Sequence, residues 1–165
     1  MLPDLSRETD LDFEGIGILP GSGRGVRQSI EYIPNGTLHY TVWGHLESTG
    51  RPSLDLFKVV VTGEDVFPPA FGRLKQGSKL WVRTVAELPD PQVAGQPLIR
   101  EAVPGSIVYL DADGGALPDD TGAAWVNFRP RLKLMVKSWS IERDEYGEVV
   151  SWTIEFWELG AGQDV

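Results

Sequence analysis

His39 and His45 are the two histidines of the chain, and they sit six residues apart in an alternating stretch that predicts a β-strand. At strand rise that separation is roughly 20 Å, too far for both to hold one metal ion. No cysteine is present, which removes disulfides, thiolate catalysis and Cys-ligated zinc. Asp111, Asp113, Asp119 and Asp120 are oxygen donors of the kind Ca²⁺ takes. Their loop lacks EF-hand spacing, with Gly115 at the fifth position and Gly122 where the bidentate Glu belongs, so it reads as a solvated acidic turn. Gly21–Gly25 has the look of a phosphate cradle, but a strand rather than a helix follows it, so no helix N-terminus meets the phosphate; it reads as a flexible connection. No serine stands in a G-x-S-x-G elbow. Glu145 and Glu148 flank a turn where solvation explains them, and Asn35-Gly36-Thr37 matches a glycosylation sequon whose residues a turn explains equally. We expect no catalytic, cofactor-binding or metal-binding residue, and no enzyme.

Composition narrows the class. A chain of 165 residues with 41% hydrophobic residues and six tryptophans is long enough for one domain with a real core. Nineteen glycines and twelve prolines suit strands joined by many turns. The net charge of −9 and pI near 4.7 repel phosphate backbones and anionic lipid, so neither direct nucleic-acid contact nor membrane binding is expected. No apolar run reaches the roughly 20 residues of a spanning helix, and the start lacks the basic and apolar regions of a signal peptide; a soluble product made in a cytoplasm is expected.

The elements come from period-2 patterning. Leu132, Leu134 and Val136 alternate with charged residues, and Val150, Trp152, Ile154 and Phe156 alternate with polar ones, on either side of Asp144–Gly147. This predicts a long antiparallel hairpin of Arg131–Glu142 with Glu148–Leu159, those seven apolar residues forming its core face. The phase changes between Val136 and Trp139, which predicts a bulge or a strong local twist in the first strand. Upstream, Phe13–Leu19 reads as a short edge strand, and Val26–Ile33 with Thr37–Leu46 as a hairpin around Asn35-Gly36. Leu54–Thr62 is a buried strand ended by Gly63, and Ser78–Leu88 is another. Pro89–Gly105 reads as an irregular excursion, Ile107–Leu110 as a brief strand, and Ala123–Phe128 as the lead into the hairpin. The fold class is all-β: an antiparallel β-sandwich or barrel of about seven to nine strands. Residues 1–12 read as a flexible N-terminal arm and 13–165 as a single β domain.

Trp139 and Trp157 fall out of phase with the apolar face of the hairpin, so either the sheet is covered on both sides or its second face meets another subunit, where aromatics are enriched; subunit contact is the leading expectation. With Asp4, Leu5 and Leu11 of the arm they are the expected interface residues.

A set of segments in order then resembles small structural proteins of tailed-phage virions. These are Arg24–Gln28, Asn35–Leu38, Phe67–Phe71, Gly77–Val82, Val103–Ser106, Phe128–Leu132, Asp144–Gly147 and Val150–Thr153. The resemblance spans residues 24–159 and carries no catalytic residue. It implies a non-enzymatic virion component, made in the host cytoplasm, whose partners are copies of itself and neighbouring virion proteins. A tail-associated ring (tube, connector or baseplate) leads; a capsid decoration protein is the alternative. Outside viruses, a carbohydrate-binding β-sandwich module fits the tryptophans and the acidic loop.

Overall fold

The computed structural model describes residues 9–16, 18–19, 21–51, 54–92 and 96–160. Among them there is no α-helix, and a 3-10 turn spans Phe71–Arg73. The alternation of the C-terminal third becomes two long strands, β11 (Arg131–Arg143) and β12 (Val150–Glu158), paired antiparallel from Leu134↔Glu158 to Arg143↔Val150. Gly147 N donates to Asp144 O across the turn, at 3.1 Å. The register shifts between Val136 and Ser138, so Lys137 is the extra residue of a bulge. That bulge carries the inward phase onward: Trp139 lies opposite Ile154 and Ile141 opposite Trp152. Leu132, Leu134, Val136, Val150, Trp152, Ile154 and Phe156 are all buried.

The pair sits in the middle of a six-stranded antiparallel sheet. Its order is β1 (Asp12–Phe13), β6 (Lys79–Arg83), β11, β12, β5 (Leu56–Asp65) and β2 (Arg27–Ile33). This sheet is curled. Phe13 and Phe156 belong to strands three spacings apart, roughly 14 Å in a flat sheet, yet their rings are 5.6 Å apart. More tellingly, Gln28 Oε1 on β2 accepts from Val85 N at 2.6 Å and Ala86 N at 3.0 Å, just beyond the end of β6. A flat sheet would hold those strands roughly 19 Å apart. The sheet therefore wraps around its own core and is seamed by one side chain; it is not a closed barrel. Inside lie Leu11, Phe13, Val59, Val61, Phe71, Leu80 and Val82 with the apolar face of β11 and β12.

Two smaller sheets complete the chain. β7 (Leu88–Pro91), β10 (Trp125–Phe128), β8 (Val108–Leu110) and β9 (Ala116–Leu117) form a four-stranded sheet, and β3 (Leu38–Tyr40) and β4 (Leu46–Ser48) form a two-stranded one.

Several sequence expectations are corrected here. β2 pairs with β5 rather than with the strand after Asn35-Gly36. Gly36 is needed for closeness, not for a turn: a Cβ there would lie 2.2 Å from Gly50 N. The strand expected at Phe13–Leu19 is two residues, Asp12–Phe13, because Gly15 turns the chain at φ 93°. The strand expected over Ser78–Leu88 breaks at the buried Thr84, whose hydroxyl donates to Pro130 O (2.8 Å). Leu88–Pro91 then joins the other sheet, its two prolines tolerated because β7 is an edge strand.

β5 also runs through Gly63 instead of ending there. Gly63 and Trp152 are cross-strand partners, and a Cβ on Gly63 would lie 2.5 Å from the indole; glycine leaves the room the ring occupies. Nor is Gly21–Gly25 a free connection. Ser22 is buried and its carbonyl accepts the Trp152 indole N–H at 3.1 Å, while Arg24 N donates to the buried Asp65 carboxylate at 2.9 Å. At the N-terminus, Leu11 is buried in the core and Asp12 is paired, so the fold begins before residue 13.

Candidate assembly interface

The feature that the core does not account for is the excursion between β2 and β5. Ile33 and Leu56 are paired in register, so residues 34–55 leave the end of the sheet and return to it. The neck is tied by polar side chains. Asn35 acts as a bridge across it, its Nδ2 donating to Arg51 O (2.9 Å) and its Oδ1 accepting from Arg51 N (2.7 Å). Asp55 accepts from Asn35 N (3.0 Å) and from the Tyr32 hydroxyl (2.5 Å), which holds the phenol above its ordinary pKa. Thr37 and Thr49 continue the ladder, Thr49 N donating to Thr37 O at 3.0 Å.

Beyond the neck β3 and β4 form a two-stranded ribbon. Gly44, at φ 76°, and the side chain of Thr41, which accepts from His45 N at 3.2 Å, shape its turn. Tyr40 opposes Leu46 and Leu38 opposes Ser48 on one face, while His39 opposes Glu47 on the other. The apolar side chains are uncovered: Leu38 69%, Tyr40 74%, Val42 95%, Trp43 84% and Leu46 54% exposed. A lone hairpin is marginal in water, and contiguous exposed apolar surface of this kind marks an interaction site. Sequence reasoning missed this site because it read Thr37–Leu46 as one continuous arm of a hairpin with Val26–Ile33. The available signal was Val42-Trp43-Gly44, a turn at the middle of the supposed strand.

The residues expected at an interface do not gather. Asp4 and Leu5 lie outside the described residues. Leu11 is a core residue. Its expected place in a subunit contact is withdrawn, since it is 3% exposed and packed in the same cluster as Phe13. Trp139 and Trp157 point to opposite faces of the sheet, not to a common second face, because the bulge at Lys137 returns Trp139 to the inner phase. Trp139 packs against Phe71 (centroids 5.9 Å) and donates its indole N–H to Leu74 O (3.0 Å). Trp157 pairs with Met135 on the outer face. There it donates to Glu155 (2.9 Å), and Lys137 both bonds Glu155 (2.9 Å) and lies over the Trp157 ring (4.9 Å). These two donors hold the Glu155 carboxyl below the usual range.

Several charged side chains are spent on structure. Glu14 accepts two bonds of 2.7 Å from Arg131 and one of 3.1 Å from Arg83. Chiefly because of the Arg131 bonds its pKa falls to about 2. Arg131 also stacks on Trp81 at 4.2 Å. Arg100 grips Glu158 (2.5 and 3.0 Å) and donates to Asp55 O (3.0 Å), which ties its segment to the end of β12 and the start of β5. In the acidic loop, Asp111 Oδ1 accepts from Asp113 N (2.9 Å) and Gly115 N (2.7 Å), so its carboxylate caps a turn. His39 and His45 fall on either side of the ribbon turn, not along one strand. Among the described residues no three His, Asp or Glu converge as a metal site. Comparison of the chain with protein-family models, with curated proteins and with solved structures finds no match.

Proposed function

We propose that the protein is a non-enzymatic structural subunit of a tailed-phage virion, assembling as repeated copies in a tail-associated ring. The observation that carries this reading is the ribbon of Leu38–Ser48, which presents five uncovered apolar side chains on a polar, bonded neck. Such an element is exposed in the single subunit and dry only in an assembly. The curled sheet supports it as a rigid base, and the ordered segments of residues 24–159 supply the virion context. The aromatic residues of the ribbon tip do not form a flat platform backed by a sheet, so they speak less for a glycan-binding module.

A density map of the assembled particle tests the proposal. It should show this subunit at symmetry-repeated positions in the tail, with the ribbon seated against neighbouring chains. Copies spread over the capsid surface would move the assignment to a decoration protein. Specific glycan binding by a monomer, or saturable turnover of a substrate, would overturn it.

A further inference from the structure

The ribbon has a matching surface on the same molecule, at the other end. β5 spans Leu56–Asp65, ten residues and roughly 30 Å. The ribbon leaves the sheet at the Leu56 end. At the Asp65 end, Val66 and Phe67 follow directly, Val149 adjoins Val150, which pairs with Asp65, and Leu19 lies in the loop joined to Phe67 by the bond from its N–H to Gly21 O at 2.9 Å. Tyr146 and Ile141 extend the same end of the β11–β12 hairpin. These side chains are 36–90% exposed although large and apolar.

We infer that the ribbon of one copy docks on the Leu19–Val66–Phe67–Val149 surface of the next copy, a head-to-tail contact. This rests on the assembly reading above and names the partner surface. The first argument is area: the ribbon side chains, and the receiving ones once Tyr146 and Ile141 are included, each expose on the order of 600–800 Å², close to the share each partner brings to a standard interface. Position is the second. Two different patches at opposite ends of one strand make a heterologous contact, which closes as a ring or continues as a stack according to the rotation between copies. Charge is the third. From Thr37 to Ser48 the one carboxylate is Glu47 and there is no Lys or Arg, whereas Glu64, Asp144, Glu145 and Glu148 lie at the receiving end of the sheet together with Arg143 and Arg24. The tip thus brings a single carboxylate toward that acidic end.

The absence of cysteine from the chain makes a clean test. Full-length Trp43→Cys and Val149→Cys proteins are mixed at high concentration and oxidised with copper–phenanthroline, with Ala112→Cys as the exposed control. The expected result is a mixed 43–149 disulfide exceeding either homodimer about tenfold. In sedimentation, Trp43→Asp and Val149→Asp should each weaken self-association on the order of thirtyfold, with melting temperatures unchanged. A dominant 43–43 product, or oligomers whose cross-linking at 149 only equals that at 112, overturns the docking while leaving repeated assembly standing. A strict monomer with no cross-link above control also overturns it. The virion assignment is then judged separately by the particle map.

Discussion

Gly63 is where the core can be tested with one methyl group. The Cβ of Gly63→Ala would meet the Trp152 indole at 2.5 Å, against a normal carbon–carbon contact of about 3.5–4.0 Å. One of the two must move by about 1 Å, and neither is free to. Gly63 is held in the β5–β12 ladder with paired residues on either side of it. Trp152 is 2% exposed, its N–H is held by Ser22 O at 3.1 Å, and its ring meets Phe71 edge-on at 5.5 Å. Overpacking of a core typically costs about 1–3 kcal/mol. Losing the indole bond adds a buried unpaired donor, about 1–3 kcal/mol. Alanine's lower unfolded-state entropy returns about 0.5–1 kcal/mol. The net expectation is a loss of about 2–4 kcal/mol, read as a fall of about 1–2 M in the urea midpoint. The cycle with Trp152→Leu supplies the control: with the indole gone, Gly63→Ala should cost under about 1 kcal/mol. A neutral Gly63→Ala, or an equal penalty in both backgrounds, would refute the account of why β5 carries a glycine there.

Three further outcomes follow from the same geometry. Glu14 has a folded pKa near 2 against 4.5 for the free group, so its contribution is present above pH about 4.5 and is lost as pH falls toward 2. Glu14→Gln should flatten the acid limb of a stability–pH curve and cost on the order of 1–2 kcal/mol at neutral pH after solvent screening; an unchanged limb would show that the pair with Arg131 adds nothing. Gln28→Leu removes the acceptor shared by Val85 and Ala86 N–H. Hydrogen exchange at those two amides should accelerate, with a loss of about 1–3 kcal/mol, whereas unaltered protection would mean that the curl of the sheet does not depend on the seam. Because the Asp111 carboxylate already caps its turn, EDTA and excess Ca²⁺ should leave the melting temperature unchanged; a calcium-induced rise abolished by Asp111→Asn and Asp113→Asn would contradict this.

Local patterns in the sequence were enough for the β11–β12 hairpin, its inward residues and the bulge near Lys137. Alternation and a turn are properties of neighbouring residues, and a phase slip in an alternating run has few remedies other than an extra residue. The all-β class was legible for the same reason. Choice of partner was not. Asn35-Gly36 carries a strong hairpin signal, yet β2 finds β5 beyond the whole excursion, because pairing depends on which strand completes the buried face and not on the nearest turn. Tertiary packing alone placed Trp139 and Trp157 on opposite faces, drew Leu11 into the core, and made Gly63 a requirement of Trp152. It also decided that Leu38, Tyr40 and Trp43 stand outside any sheet that could cover them. The sequence marks these side chains as apolar; whether an apolar side chain becomes core or contact surface is set by what else the fold brings within reach.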